Sequence, residues 1–228
     1  MKNQPNLPQH LGIILDGNRR WAKEKNLPAL EGHKRGFKTV KSIIQAAKEK
    51  GIKTLTLFCF STENWNRSRE EIDYLMDIFK KSLSDYFSKF GKENVKIKII
   101  GQKDRFSGDI QSQMEKLEKQ TKDNTKMTLN LALSYGGRAE IVDAIKKIIK
   151  TGVDPDKITE ETVKENLWTS DVDLIIRTGG EQRLSGFLLW QAAYSEFIFV
   201  KKYWPEFSES DLDAALSEYA SRQRRFGK

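Results

Sequence analysis

Short apolar runs alternate along this chain with segments of helical period, and that alternation restricts it to strands joined by helical crossovers. Leu11 to Leu15, Leu55 to Phe60, Val95 to Ile100, Met127 to Leu133, Val172 to Ile176 and Phe197 to Val200 read as strands. After the first, Phe37, Val40, Ile43, Ile44 and Ala47 fall on one helical face. Ile72, Leu75, Met76, Phe79, Leu83, Tyr86 and Phe87 keep the spacing of a long amphipathic helix, which serves as core, as a dimer surface or as the wall of an apolar cavity. Ser68-Arg69-Glu70-Glu71 opens it as a capping box, the serine oxygen and glutamate side chain each satisfying a free amide. Further helices are marked by Phe106, Ile110, Met114 and Leu117; by Ile141, Val142, Ile145, Ile148 and Ile149; by Thr159 to Trp168; and after Ser208, toward Arg225. Strands separated by such helices pair in parallel through right-handed crossovers. The expected fold class is α/β: a single domain over residues 1–228, with a mainly parallel central sheet flanked by helices. Thr151 to Lys157, with Gly152 and Pro155, is the segment best suited to a mobile loop.

Three clusters rich in Gly, Asn, Ser and Arg follow apolar runs: Asp16-Gly17-Asn18-Arg19-Arg20-Trp21, Ser61-Thr62-Glu63-Asn64-Trp65-Asn66-Arg67, and Arg177-Thr178-Gly179-Gly180-Glu181-Gln182-Arg183-Leu184-Ser185. Ligands of open α/β sheets lie beyond the carboxyl ends of the strands, so the clusters are expected to converge on one ligand. Gly17 lets backbone approach that ligand closely, and amides at the following helix start are free donors for phosphate. The same composition also suits an ordinary turn. Arg177, Arg183 and Ser185 can close on a phosphate from a second direction. Asp16 and Glu196 are candidate carboxylates for Mg2+, which favours one or two carboxylates plus phosphate oxygens and water. His33, at the entrance to a helix, either donates to a phosphate or is an ordinary surface histidine. Neither GxGxxG nor GxxxxGK[ST] occurs, and no Cys/His set or Ser/His/Asp motif suggests zinc or a hydrolase.

Forty Lys and Arg against 32 Asp and Glu give a formal charge of +8, which favours anionic partners without choosing among nucleic acid, acidic lipid and phosphorylated metabolite. Basic residues spread over strand ends, interleaved with acidic groups, argue against nucleic acid. Met1 to His10 has no apolar signal core, and the single cysteine, Cys59, sits in an apolar run. The expected location is therefore cytoplasmic, with Cys59 as packed core.

Taken together, these motifs resemble the cis-prenyltransferases. The matching stretches are His10 through Asn18, Gly32-His33-Lys34, Phe60 through Arg67, Asn130 through Arg138, Arg177 through Ser185 and Phe187 through Gln191, in family order. The resemblance implies a Mg2+-dependent enzyme that condenses isopentenyl diphosphate onto farnesyl diphosphate with cis double bonds. Its product would be a long-chain polyprenyl diphosphate, undecaprenyl diphosphate for a bacterial cell-wall lipid carrier. By that resemblance Asp16 and Asn64 are catalytic, and Asp16 and Glu196 contact the metal. Gly17, Asn18, Arg19, Arg20, Trp21, His33 and Ser61 hold or flank the allylic diphosphate; Arg177, Arg183 and Ser185 bind that of isopentenyl diphosphate. Thr62, Glu63, Asn64, Trp65 and Arg67 belong to a loop over the substrates. An apolar tunnel between sheet and helices would take the product, with Cys59 and Met127 at length-influencing positions. Arg225-Phe226-Gly227 matches an ending that reaches the neighbouring subunit's site, implying a homodimer, and the lipid product implies contact with the inner membrane face.

Arg19 stands where the family usually has Gly, Ala29 where Arg often assists the allylic diphosphate, and Gln182 where His is frequent. Arg19 is a candidate replacement for the charge missing at position 29. A different product length, or a non-catalytic subunit of a prenyltransferase complex, are the competing readings; such a subunit loses catalytic groups that this chain retains.

Overall fold

The computed structural model describes residues 7–222. Strands β1 (His10–Ile14), β2 (Thr54–Ser61), β3 (Val95–Ile100), β4 (Met127–Tyr135), β5 (Leu174–Arg177) and β6 (Glu196–Phe199) form one sheet in the order β3-β4-β2-β1-β5-β6. Every pairing in it is parallel. Helices α1 (Asn18–Glu24) and α2 (Ala29–Glu49) connect β1 to β2. Helix α3 (Arg69–Ser82) passes through a π-helical turn (Leu83–Phe87) into α4 (Ser88–Lys92) before β3, and α5 (Gly108–Thr121) leads to β4. Then come α6 (Gly137–Lys150), α7 (Glu160–Asn166) and, after β6, α8 (Glu209–Ser221). The Arg225-Phe226-Gly227 ending lies outside the described residues.

Both faces of the sheet are covered, as parallel sheets require. Leu11, Ile13, Leu55, Leu57, Leu129, Leu131, Leu174 and Ile176 pack with Ile43 and Ile44 of α2, Leu75 of α3 and Met114 of α5. On the opposite face Ile14, Ala132, Val172 and Ile175 pack with Phe187 and Leu188. Each fully buried Leu or Ile contributes about 1.5–3 kcal/mol, which makes these apolar runs the main determinant of sheet order.

Strand order reverses at β1: the chain first builds β2, β3 and β4 on one side, then returns to place β5 and β6 on the other. A crevice therefore opens beyond the carboxyl end of β1, where the Asp16, Ser61 and Arg177 clusters emerge. Register shifts between β2 and β4 at Phe58/Phe60 and Phe60/Ser61 form bulges beside it. Bulges re-aim side chains, and here Cys59 and Ser61 both line the cavity described below.

Two helices differ from the sequence expectation. Helix α6 buries Ala144 and Ile148 but leaves Val142, Ile145 and Ile149 between 46% and 69% exposed. Its apolar stripe is thus wider than the face the sheet covers. At α3, Ser68 Oγ accepts from the Glu71 amide at 3.4 Å, but the Glu71 carboxylate turns to His33 and Arg67, so the capping box is half made. No helix among the described residues is long and apolar enough to cross a membrane.

Candidate active site

Asp16 follows β1 by two residues, and its backbone is clamped from both sides. Its amide donates to Thr178 Oγ1 (3.0 Å), while its carbonyl accepts from Thr178 Oγ1 (2.8 Å) and the Trp204 amide (3.0 Å). Its carboxylate accepts from Arg177 Nη2 at 2.8 Å and lies 3.1 Å from Arg20 Nη2. Burial pushes the Asp16 carboxyl up, but the Arg177 hydrogen bond and the Arg20 charge outweigh it and hold the group below the ordinary carboxylate range. The site thus carries a fixed anion between two guanidinium groups.

Those cations are themselves fixed. Arg20 Nη1 donates to the Gly179 carbonyl (2.9 Å) and Glu181 Oε1 (3.2 Å), and its guanidinium lies 5.4 Å from the Tyr203 ring centroid. Arg177, buried at the end of β5, donates to Ser185 Oγ (2.8 Å) and to the Arg183 carbonyl. Its Nε is buried without a partner among the described residues. Arg183 is exposed and pairs with Glu181 at 2.5 Å. Two backbone features permit this closeness. Gly17 has φ +104°, and a Cβ there would stand 2.5 Å from the Tyr203 ring; a Cβ on Gly179, at φ +88°, would stand 2.7 Å from Arg20 Nη2. Ser185 holds φ +51° without a glycine's freedom, which marks the loop carrying Arg183 as conformationally costly.

The second cluster closes the site from β2. The Ser61 amide donates to Asn64 Oδ1 at 3.0 Å, so Asn64 caps the 3₁₀ turn Thr62–Asn66. Glu63 accepts from Thr62 Oγ1 at 2.8 Å; burial raises its pKa, but local hydrogen bonds and the Arg138 charge carry the net shift downward. His33 Nε2 and Arg67 Nη1 each lie 3.0 Å from Glu71 Oε1. Burial leads the lowering of His33, with the Arg67 and Arg19 charges adding to it, so the ring tends to neutrality despite Glu71.

Two cavities meet at Asp16, Asn18, His33 and Arg67. The larger, about 890 Å³, is lined at the strand ends by Asp16, Asn18, His33, Ser61, Thr62, Glu63, Asn64, Arg67, Arg138, Arg177, Arg183 and Ser185. Farther in, Phe37, Val40, Phe58, Cys59, Leu75, Phe79, Leu83, Phe87 and Leu131 line it. Burial drives the Cys59 thiol up to about 12, so this wall offers no thiolate. The smaller cavity, about 610 Å³, is lined by Gly17, Arg19, Arg20, Lys23 and Ala29 as well. Arg19 and Ala29 thus face one cleft, which is strongly basic.

Four expected participants stand elsewhere. Glu196 opens β6 in register with Leu174, three residues from the end where Arg177 pairs with Phe199, which is about 10 Å along the strand. It accepts from Arg222 at 2.6 Å, and within one chain it does not join Asp16. Trp21 turns outward and donates from Nε1 to Glu206 at 3.0 Å, and neither cavity touches it. Trp65 donates to Ser134 Oγ at 2.9 Å and packs on Phe60 and Phe106, anchoring its turn from behind. Met127 is buried at the far end of β4, where Leu131 and Leu133 line the cavity instead. Conversely, Tyr203, which the sequence assigned no role, and Glu71, read there only as a helix cap, belong to the site by contact, as do Thr178 and Glu181 of the third cluster and Arg138 of a matching stretch, none of which had been given an individual role.

No cluster of three or more His, Cys, Asp or Glu side chains suited to a metal occurs among the described residues. A single ionised carboxylate at the junction of two cavities fits Mg2+ only in its water- and phosphate-rich mode.

A family model described as "Putative undecaprenyl diphosphate synthase" matches residues 14–227. The isoprenyl transferase of Thermotoga maritima is 46% identical, the match covering 97% of each chain. That of Chromobacterium violaceum is 45% identical over 97% of this chain and 88% of its own. Among solved structures, lavandulyl diphosphate synthase from Lavandula x intermedia, in complex with dimethylallyl diphosphate, superposes with a TM-score of 0.93 at 39% identity, covering 97% of this chain and 99% of that one.

Proposed function

This chain belongs to the undecaprenyl diphosphate synthase, or isoprenyl transferase, family of cis-prenyltransferases, and we propose that it extends farnesyl diphosphate with isopentenyl diphosphate to undecaprenyl diphosphate for a bacterial cell-wall carrier. The observation that carries this reading is the larger cavity: cationic and hydroxyl groups at the strand ends, aromatic and aliphatic side chains between α2, α3 and the sheet. At about 890 Å³ it lies near the top of the ~300–1,000 Å³ range of small-molecule sites, which supports an apolar tunnel rather than a head-group pocket alone.

In this reading the allylic diphosphate lies over Gly17, Asn18, Arg19, Arg20, His33 and Arg67. Isopentenyl diphosphate is held by Arg177, Arg183 and Ser185. Loss of diphosphate leaves an allylic cation and a developing anion; Arg20 stabilises the anion, already oriented by Gly179, Glu181 and Tyr203. Asp16, kept ionised, would hold Mg2+ with substrate phosphate oxygens, and the ion would supply Lewis-acid stabilisation of the leaving group. Glu196 joins a metal only if supplied by another subunit.

Exposed Val142, Ile145 and Ile149 on α6, with Phe199 at the sheet edge, support a homodimer. An inner-membrane-face location follows from the lipid nature of the product. Incubation with farnesyl diphosphate, labelled isopentenyl diphosphate and Mg2+, followed by product chromatography, tests the activity and its length. Label remaining in isopentenyl diphosphate would defeat the catalytic reading; a discrete shorter or longer product would correct the chain length, as the likeness to lavandulyl diphosphate synthase makes worth measuring.

A further inference from the structure

One carboxylate near the site has no role in the chemistry above, yet it occupies the meeting point of three anion-binding side chains. Glu71 is 8% exposed. Its Oε1 lies 3.0 Å from both His33 Nε2 and Arg67 Nη1, and its Oε2 lies 3.8 Å from Arg19 Nη1. Only the Arg67 contact is local in sequence, from the residue just before the Ser68 N-cap of α3; Arg19 comes from α1 and His33 from α2, so the convergence is tertiary. All three side chains line the basic cleft beside Asp16, and His33 and Arg67 line both cavities.

The electrostatics explain why a carboxylate is needed there. Arg19 and Arg67 repel one another, and burial disfavours the charge of Arg67 as well. Without an anion, the two guanidinium groups would separate into solvent. A substrate diphosphate would hold them together; in its absence Glu71 does so, having given up its reciprocal place in the helix cap.

Building on the substrate reading above, we propose that Glu71 is a resident surrogate for the allylic diphosphate: its carboxylate gathers Arg19, His33 and Arg67 into a formed cradle, and the arriving diphosphate displaces it and takes over these donors. Glu71 is a positioning residue, since it acts through the three donors and touches no reacting atom. It also sits one helical turn before Leu75 and two before Ile78 and Phe79, which line the apolar cavity. Exchange of partners at Glu71 therefore links head-group binding to the wall that receives the hydrocarbon tail.

The test is calorimetric titration of inorganic diphosphate into the full chain and its Glu71→Gln variant, with elongation of farnesyl diphosphate measured in parallel. Gln keeps the shape and removes the competing charge. The variant should bind inorganic diphosphate about fivefold more tightly and melt at a lower temperature than wild type without ligand, the deficit closing at saturating diphosphate. Equal or weaker binding by Glu71→Gln overturns the surrogate and leaves a structural ion pair. Should that variant not fold, Arg19→Ala decides: the proposal requires severalfold weaker diphosphate binding with little change in unliganded melting, and unchanged affinity overturns it. If wild type fails to elongate farnesyl diphosphate while Glu71→Gln still binds diphosphate more tightly, the activity reading falls and the surrogate stands. If wild type elongates and the variant binds no more tightly, only the surrogate falls. Absence of diphosphate binding by wild type overturns the surrogate, and the elongation assay alone then decides the activity reading.

Discussion

Two carboxylates on either side of the loop between β5 and β6 show how partners decide what a buried acid does. Asp16 faces the cavity mouth between Arg177 and Arg20, and those charges hold its pKa down. Glu140, 1% exposed at the start of α6, meets only neutral donors: Tyr135 Oη, Gln191 Nε2 at 3.0 Å and the Trp168 amide at 2.7 Å. Burial dominates there and pushes Glu140, and the Tyr135 hydroxyl beside it, upward. The guanidinium-bound acid lines the cavity mouth as a fixed anion, whereas the neutrally bonded acid joins β4, α6, the segment before β5 and the loop that carries Arg183.

The sharpest break of the comparison is Asp16→Ala. It removes the ionised group at the junction of both cavities, and elongation should fall roughly a thousandfold in a labelled isopentenyl diphosphate assay. Folding should survive, because Arg177 keeps Ser185 and the Arg183 carbonyl as partners. Glu140→Ala should do the opposite. It strands Tyr135 Oη, Gln191 and the Trp168 amide, so stability should drop by about 3 kcal/mol in urea unfolding. Residual activity should track the folded fraction.

The pH dependence separates the same two groups by sign. Because the Asp16 pKa is depressed on folding, its stabilisation is present above the unfolded value of about 3.9 and is lost as pH falls through the folded value. Glu140 has a raised pKa, so its contribution is full below about 4.3 and is lost as pH rises toward the folded value. Asp16→Asn should flatten the acid limb of a stability curve, and Glu140→Gln the limb above it. Urea melts between pH 3 and pH 8 distinguish them; identical effects on both limbs would refute the contrast.

Gly17 gives a smaller effect and a sharper structural readout. A Cβ there meets Tyr203 at 2.5 Å on a backbone of φ +104°. Gly17→Ala should lose about 1–3 kcal/mol and raise the KM for the allylic diphosphate, because Tyr203 also faces Arg20. Adding Tyr203→Ala should recover part of the stability but not the KM, since the strain of the backbone and the loosened Arg20 remain.

Much of the fold was legible because buried parallel strands are continuous apolar runs: all six strands lie within one or two residues of their sequence positions. The three polar clusters were legible for the same reason, since strand ends in such a sheet share an edge. What the pattern could not convey is partner choice. Glu71 has the spacing of a cap, yet Arg19, His33 and Arg67 outcompete one backbone amide for it. Glu196 follows the third cluster in sequence, but the chain re-enters the sheet at the amino-terminal end of β6, away from the carboxyl ends where the clusters emerge, so proximity in sequence became distance along a strand. Tyr203 carries no motif; only the folded approach of Gly17 and Arg20 gives it work.

Trp21 makes the smallest and most exacting test, because sequence and structure assign it different faces. Its position within the first cluster placed it on the substrate; the folded chain turns its indole toward Glu206, outside both cavities. Trp21→Phe keeps most of the apolar surface and removes one partly exposed hydrogen bond, so stability should fall by less than about 1 kcal/mol. Its KM for farnesyl diphosphate should stay within about twofold of wild type, a change worth less than ~0.5 kcal/mol. A tenfold rise would mean that the α1 helix turns its indole inward when substrate binds. The boundary between the charged mouth and its supporting shell would then run through Trp21 and not behind it.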